Sequence, residues 1–313
     1  MSTIQSNVKE KTLITKLNAL KPFIGNTPLF EIKNFELNPK VKLYVKLEWL
    51  QLSGSIKIRA AYQIIRQAIE NNQLDEDRIL LDATSGNTGI AYAAICAALN
   101  IKLTICIPEN ASKERKLILQ NYGARLVFTS KFEGTDGAQE YAKLLYNSNP
   151  DKYYYADQYA NKANSLAHYL NTAPEIYNAL EGKITHFVNG LGTTGTFTGA
   201  GTRFKEYNQN IQLISLQPDN PLHGLEGWKH LETAKVPEIY NDQLADENRL
   251  IDTENAFRMI KTLAQKEGLL VSPSAAANLT GALEVARGIK EGIVVSTFAD
   301  NADKYSEILK DIL

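Results

Sequence analysis

Apolar and polar positions alternate at period two over residues 41–47, then give way to a helical stripe over residues 55–70, where Ile56, Ala60, Ile64 and Ala68 share one face. The same switch recurs. A strand-like run at 78–82 leads through a glycine turn into the apolar helical run 90–99, followed by a strand at 101–108, a helix at 114–122 and a strand at 124–129. Further on, strands are expected at 184–189, 211–217 and 292–298, and helices at 198–206, 254–267 and 275–289. Strands alternating with helices predict an α/β fold of open twisted, largely parallel sheet flanked by helices. Polar, glycine-containing stretches at 131–137 and 147–152 read as loops and as a border between domains.

Length and charge narrow the function. The 313 residues exceed a typical single domain. With 34 basic against 35 acidic side chains, the net charge of −1 gives neither nucleic acid nor an anionic membrane an electrostatic hold. The apolar run 90–99 is too short to span a bilayer, and the polar start of the chain is no signal peptide. Cys96 and Cys106 lie inside apolar stretches and read as core thiols of a reducing compartment. A cytoplasmic location is expected.

In parallel sheets, ligands bind beyond the carboxyl ends of strands, where loops open helices. Four such junctions carry unusual residues. In Leu52-Ser-Gly-Ser-Ile-Lys57, the lysine falls in a first helical turn, where the positive dipole end favours loss of its proton. A deprotonated lysine is a Schiff-base nucleophile, although a lone lysine at a helix start is ordinarily a surface residue. In Thr84-Ser-Gly-Asn-Thr-Gly89, hydroxyls and free N–H groups suit a carboxylate, with plain capping as the alternative. Gly190-Leu-Gly-Thr-Thr-Gly195-Thr196 combines glycine backbone with three hydroxyls at another helix start, a cradle for a phosphate monoester. It also spells the G-x-G-x-x-G of dinucleotide sites, which keeps an NAD-binding oxidoreductase open. Ser274, in Val271-Ser-Pro-Ser274-Ala, has helix capping as its ordinary reading.

Together these segments resemble the cysteine synthase and cystathionine β-synthase family of pyridoxal-phosphate (PLP) enzymes, with the tryptophan-synthase β-like fold. The likeness runs from Ile24-Gly-Asn-Thr-Pro28 to the last strand and is nearest to cysteine synthase type B. Ser53-Gly-Ser-Ile-Lys57 resembles the cofactor-lysine segment. Thr84, Ser85, Gly86, Asn87 and Thr88 match the substrate-carboxylate loop, and Gly192, Thr193, Thr194, Gly195 and Thr196 match the phosphate loop. Asp157-Gln158-Tyr159 and residues 168–175 match further segments.

The resemblance implies PLP on Lys57 in the cleft between two domains. Asn87 would meet the ring hydroxyl and Ser274 the ring nitrogen, while Thr84, Ser85, Gly86, Thr88 and Gln158 would grip the substrate carboxylate. The implied reaction is β-replacement on an activated serine, such as O-acetylserine, via an aminoacrylate, giving cysteine or a related β-substituted alanine. Lys57 is the implied base, and sulfide or a thiol the implied nucleophile. A smaller mobile domain over 46–160, a larger one from 1–45 plus 161–313, and a homodimer are implied as well. A serine or threonine dehydratase is the alternative within PLP chemistry.

Several positions depart from the family. Ile58 replaces the aspartate after the lysine, Gln51-Leu52 the usual asparagine-proline, and Ser272-Pro-Ser274-Ala-Ala the usual glycine-rich turn. The loop beginning Gln217-Pro-Asp219 lacks the arginine of phosphoserine-using relatives, and Asp219 would repel a phosphate. Phosphoserine is therefore not the expected donor, unless Arg59 or Arg115 supplies the charge. His223 and His230 are expected to be surface-loop residues.

Overall fold

In a computed structural model, described here for residues 2–84 and 86–312, strands and helices alternate as the apolar pattern requires. The strands are β1 Leu29–Ile32, β2 Val41–Leu47, β3 Ile79–Ala83, β4 Lys102–Pro108, β5 Arg125–Thr129, β6 Tyr153–Tyr155, β7 His186–Gly190, β8 Gln212–Pro218, β9 Glu247–Ile251 and β10 Gly292–Phe298. The helices are α1 Ser2–Leu20, α2 Lys57–Glu70, α3 Asn87–Leu99, α4 Lys113–Asn121, α5 Gly134–Ser148, α6 Lys162–Ala167, α7 Ala173–Ala179, α8 Gly195–Tyr207, α9 Thr253–Glu267, α10 Pro273–Gly288 and α11 Ser306–Ile312.

The chain forms two compact units. One gathers the residues up to Gly25, Gln51–Ser53 and Lys57–Asn164; the other gathers Asn26–Leu50, Gly54–Ile56 and the chain from Ser165 onward. Within the first, the strand order β5-β4-β3-β6 is parallel throughout. Its core joins Ile58, Ile64 and Ile65 of α2 to Ile90, Tyr92 and Ile95 of α3. That helix is apolar on every side and buried accordingly.

The segment 131–137, expected as a loop and a border, lies inside this unit, and α5 begins within it at Gly134. Ala138, Gln139 and Ala142 give α5 its buried stripe. The glycines at 134 and 137 hide that stripe from a reading by composition. Helix α1 lies in a stretch whose charged and polar composition masks it; Leu13 and Leu17, one turn apart, are buried there, and Ile14 and Leu20 pack on the same core.

The second unit carries the order β1-β2-β10-β7-β8-β9, parallel except for the β1–β2 pair. Strand β2 alternates as its sequence dictates, with Val41, Leu43 and Val45 buried and Lys42 exposed. Lys46 breaks the rule of charge outside. It is buried at 1% exposure because its ammonium meets the Glu175 carboxylate at 2.8 Å and the Thr27 carbonyl at 2.7 Å.

Both cysteines are buried free thiols, and burial pushes Cys106 up to about 12. Among the described residues, no helix is long and apolar enough to cross a membrane.

Candidate active site

Helices α3 and α8 start three residues before their apolar periodicity does, at Asn87 and Gly195. First-turn N–H groups lack intrahelical partners and take polar neighbours, so hydrophobic spacing cannot reveal that turn. In each case the extra turn opens with residues the sequence singled out, Asn87 and Thr88 in α3 and Gly195 and Thr196 in α8.

In the first unit, β3 ends at Ala83 and the chain turns through Thr84 and Gly86 into α3; Ser85 lies outside the described residues. Thr84 Oγ1 accepts from the Gly86 N–H at 3.0 Å. Gln158 braces both sides of the turn: its Oε1 accepts from Thr88 Oγ1 at 2.7 Å, and its Nε2 donates to the Ala83 carbonyl at 2.8 Å. Thr84, Thr88 and Gln158 are all nearly inaccessible, so these bonds have no water to compete with them. Gln158 retains one amide proton beyond those used. Asn87 opens α3 half-buried. Arg115 packs closely on Gly86: a Cβ there would stand 2.2 Å from Arg115 Cδ, so any side chain would have to displace the arginine.

Lys57 is the first residue of α2 and is half-buried, while Ile58, Arg59 and Ala60 behind it are buried. The chain crosses between the units and back over residues 51–57. Ser53 holds a left-handed φ of 64° there. Such a conformation costs a serine about 1–3 kcal/mol and gathers at functional sites. The hydroxyls of Ser53 and Ser55 are buried without hydrogen-bond partners.

In the second unit, β7 runs into the turn 191–194 and then α8. Thr194 caps that helix at φ 67°, a strained value for a β-branched residue. Its Oγ1 is buried with no partner. Thr193 Oγ1 accepts from the Gly195 N–H at 3.4 Å, and Thr196 Oγ1 lies 3.3 Å from His168 Nε2. An orphaned hydroxyl, neighbouring hydroxyls and the N–H groups of a helix start form a donor set that fits a phosphate monoester.

The first two glycines of the dinucleotide-like pattern have another explanation. A Cβ on Gly190 would stand 1.9 Å from the Trp228 indole, and one on Gly192 would stand 1.9 Å from the Gly227 carbonyl oxygen. Protein packing, not a pyrophosphate, demands them. At the start of α10, Ser272 is the capping residue, its Oγ accepting from the Ala275 N–H at 3.2 Å. Ser274, for which capping was the ordinary reading, is thereby released from that duty and lies buried at the second helical position.

The departures find their places. Ile58, at 0% exposure, belongs to the apolar core that includes Leu13 and Leu17, where an aspartate would be desolvated. Gln51 accepts the Gly25 N–H through Oε1 at 2.9 Å. Arg59 and Arg115 are both buried, and Arg115 packs on the Gly86 turn. The expectation for His230 needs correction. His230 is buried with Nδ1 2.9 Å from Thr233 Oγ1. His223 Nδ1 accepts from the Leu225 N–H, and burial lowers its pKa, with His230 adding to the effect. His223 is half-buried and follows the exposed residues 219–222, while further along the same loop Gly227 and Trp228 pack on Gly192 and Gly190.

Other contributors carried a weaker signal. Asn278 lies among alanines in α10; its Oδ1 accepts from the Gly190 N–H at 2.7 Å, and its Nδ2 donates to the Thr297 carbonyl at 2.7 Å. A lone amide in an apolar helix is the trace it leaves in the sequence. His168 occupies a π-helical turn and bonds Thr172 through Nδ1 at 2.9 Å, which directs Nε2 to Thr196.

The chain is similar to known proteins along most of its length. Residues 20–300 match the family model described as "Pyridoxal-phosphate dependent enzyme". The chain is 40% identical over 289 residues to a cysteine synthase of Aquifex aeolicus, covering 90% of this chain and 88% of that one. It is 35% identical to cysteine synthase B of Salmonella typhimurium, covering 92% and 94% respectively. Among solved structures, it superposes on the O-acetylserine dependent cystathionine beta-synthase of Helicobacter pylori with a TM-score of 0.87 at 31% identity, covering 92% of this chain and 96% of that one.

Proposed function

Since the chain belongs to the cysteine synthase family of pyridoxal-phosphate-dependent enzymes, we propose that it catalyses β-replacement on O-acetylserine, with sulfide as the entering nucleophile and cysteine as the product. The observation that carries the assignment is the buried, unpartnered Thr194 hydroxyl at the start of α8, in a loop whose donors suit a phosphate monoester. When bound, PLP supplies an electron sink that acidifies the substrate α-proton and lets the β-substituent leave.

The protein's own residues do the rest. Residues 192–196 would hold the phosphate and Lys57 Nζ would anchor the cofactor, with Asn87 for the ring hydroxyl and Ser274 for the ring nitrogen. Once the substrate amine had displaced it from the cofactor, Lys57 Nζ would be a free amine at a helix start, placed to take the α-proton. Thr84, Ser85, Gly86, Thr88 and the spare amide proton of Gln158 receive the substrate carboxylate. We also place the protein in the cytoplasm as a homodimer; sedimentation at micromolar concentration checks the second point.

Gln158→Ala leaves the Ala83 carbonyl and the Thr88 hydroxyl unpaired in a dry site, at about 1–3 kcal/mol. KM for O-acetylserine is expected to rise about tenfold, kcat to change less. Gly192→Ala forces the Gly227 carbonyl away, at about 1–3 kcal/mol. PLP titration of the apoenzyme should show affinity weakened about tenfold, with O-acetylserine KM unchanged once the enzyme is saturated.

The reaction itself is tested by adding O-acetylserine and sulfide to the purified holoenzyme. Accumulating cysteine supports β-replacement; ammonia and pyruvate in its place identify a dehydratase. A protein that binds no PLP overturns the assignment altogether.

A further inference from the structure

We propose that Ser272 is a positioning residue: it fixes the direction of the Ser274 hydroxyl proton and so makes Ser274 a hydrogen-bond donor to the ring nitrogen of PLP. The inference rests on the reading of Ser274 as the partner of that nitrogen. It concerns the segment Ser272-Pro-Ser274 that replaces the family's glycine-rich turn.

The geometry leaves Ser272 little choice. Its side chain is fully buried, with 0% exposure, so water is not available to it. One lone pair of Oγ receives the Ala275 N–H at 3.2 Å as the cap of α10. The hydroxyl proton is left, and Ser274 Oγ, 3.2 Å away, is the acceptor within its reach among the described residues. Pro273 stands between the two serines as the first helical residue; its ring fixes φ and holds them at a set spacing.

Two proton arrangements are possible. If Ser274 donates to Ser272, the Ser272 proton has no acceptor in a dry site and must face the positive end of α10, where N–H groups point the same way. If Ser272 donates to Ser274, both demands are met. The second arrangement leaves Ser274, itself 4% exposed, with its own proton to give outward. A group that can only donate in that direction pairs with an unprotonated pyridine nitrogen and rejects a pyridinium, whose N–H would oppose the hydroxyl proton. The substituted turn therefore selects the neutral ring, the weaker electron sink, which favours β-elimination and replacement over a long-lived carbanion.

The test uses holoenzyme reconstituted with PLP labelled with nitrogen-15 in the ring, read by NMR at neutral pH. Wild type and Ser272→Thr, which keeps the donor, are expected at the position of a neutral, hydrogen-bonded pyridine. Ser272→Asp keeps the helix cap but can only accept, so it takes the Ser274 proton and moves the resonance upfield to the pyridinium end. Ser272→Ala removes the donor without adding charge and moves it part of the way. Circular dichroism checks folding, and if the aspartate variant does not fold, the alanine and threonine pair decides alone. If the aspartate and alanine variants keep the wild-type resonance while Ser274→Ala shifts it, the role of Ser272 is wrong and the reading of Ser274 stands. If Ser274→Ala also leaves it in place, Ser274 is not the partner, and both readings fall.

Discussion

Lys57→Ala is expected to lower kcat/KM for cysteine formation by at least three to four orders of magnitude, roughly the contribution of a positioned base together with a covalent anchor. The side chain is half-buried at the first position of α2, and the helix is held by Ile58, Ala61, Ile64 and Ile65 behind it. Truncating Lys57 therefore opens no core cavity, and the thermal midpoint of the apoprotein should be unchanged. Loss of activity would then be a loss of chemistry rather than of fold. Borohydride reduction supplies an independent readout: wild type retains a fluorescent pyridoxyl group through denaturation, whereas the variant releases it. Turnover within tenfold of wild type would show that another group takes the α-proton. Retention of the label in Lys57→Ala would move the anchor elsewhere.

What the sequence disclosed and what it hid follow from two kinds of signal. Period-two and period-3.6 patterns report burial of apolar side chains. They located β2 and β10 to the residue and placed α9 and α10 to within two residues. They are silent where buried positions are scattered through a charged run, as with Leu13 and Leu17 of α1, or where glycines dilute the stripe, as in α5. Loop chemistry reports function more directly. The four junctions were visible because hydroxyls, glycines and a lysine are denser there than turns require. Their bracing was not visible: Gln158 reaches Thr88 across 70 positions and Asn278 reaches Gly190 across 88. Spacing along a chain cannot report such pairings. Ser272 is intermediate. Its departure from the family was plain in the sequence, but its capping bond and its contact with Ser274 required coordinates.

Asp82→Asn is expected to make the protein more stable, and increasingly so as pH rises. Asp82 is the penultimate residue of β3, fully buried, two residues before Thr84. Burial pushes its carboxyl up to about 8; the Ala83 N–H opposes the rise and the charge of Asp157 adds to it. One oxygen takes the Ala83 N–H at 2.8 Å, while the other makes no hydrogen bond within 3.5 Å, although the Tyr92 hydroxyl is near enough to oppose the rise as well. In the unfolded chain the same group titrates near 3.9. Between these values the folded protein holds a proton that the unfolded chain has released. The contribution of Asp82 to stability is therefore complete below about pH 4 and is lost as pH climbs toward 8, by roughly 4 kcal/mol between pH 4 and 7. Asparagine keeps the acceptor for Ala83 and has no proton to lose. Urea unfolding should give similar stabilities for the two proteins near pH 4 and a widening advantage for the variant up to pH 8. The loop expected to receive the substrate carboxylate starts two residues on, so ionisation of Asp82 would place an anion beneath it. KM for O-acetylserine should accordingly rise between pH 7 and 8.5 in wild type and stay flatter in the variant. If the two unfolding curves run parallel across that range, Asp82 is ionised in the folded protein. The carboxylate loop would then tolerate a buried charge, and its affinity for the substrate would have to come from elsewhere.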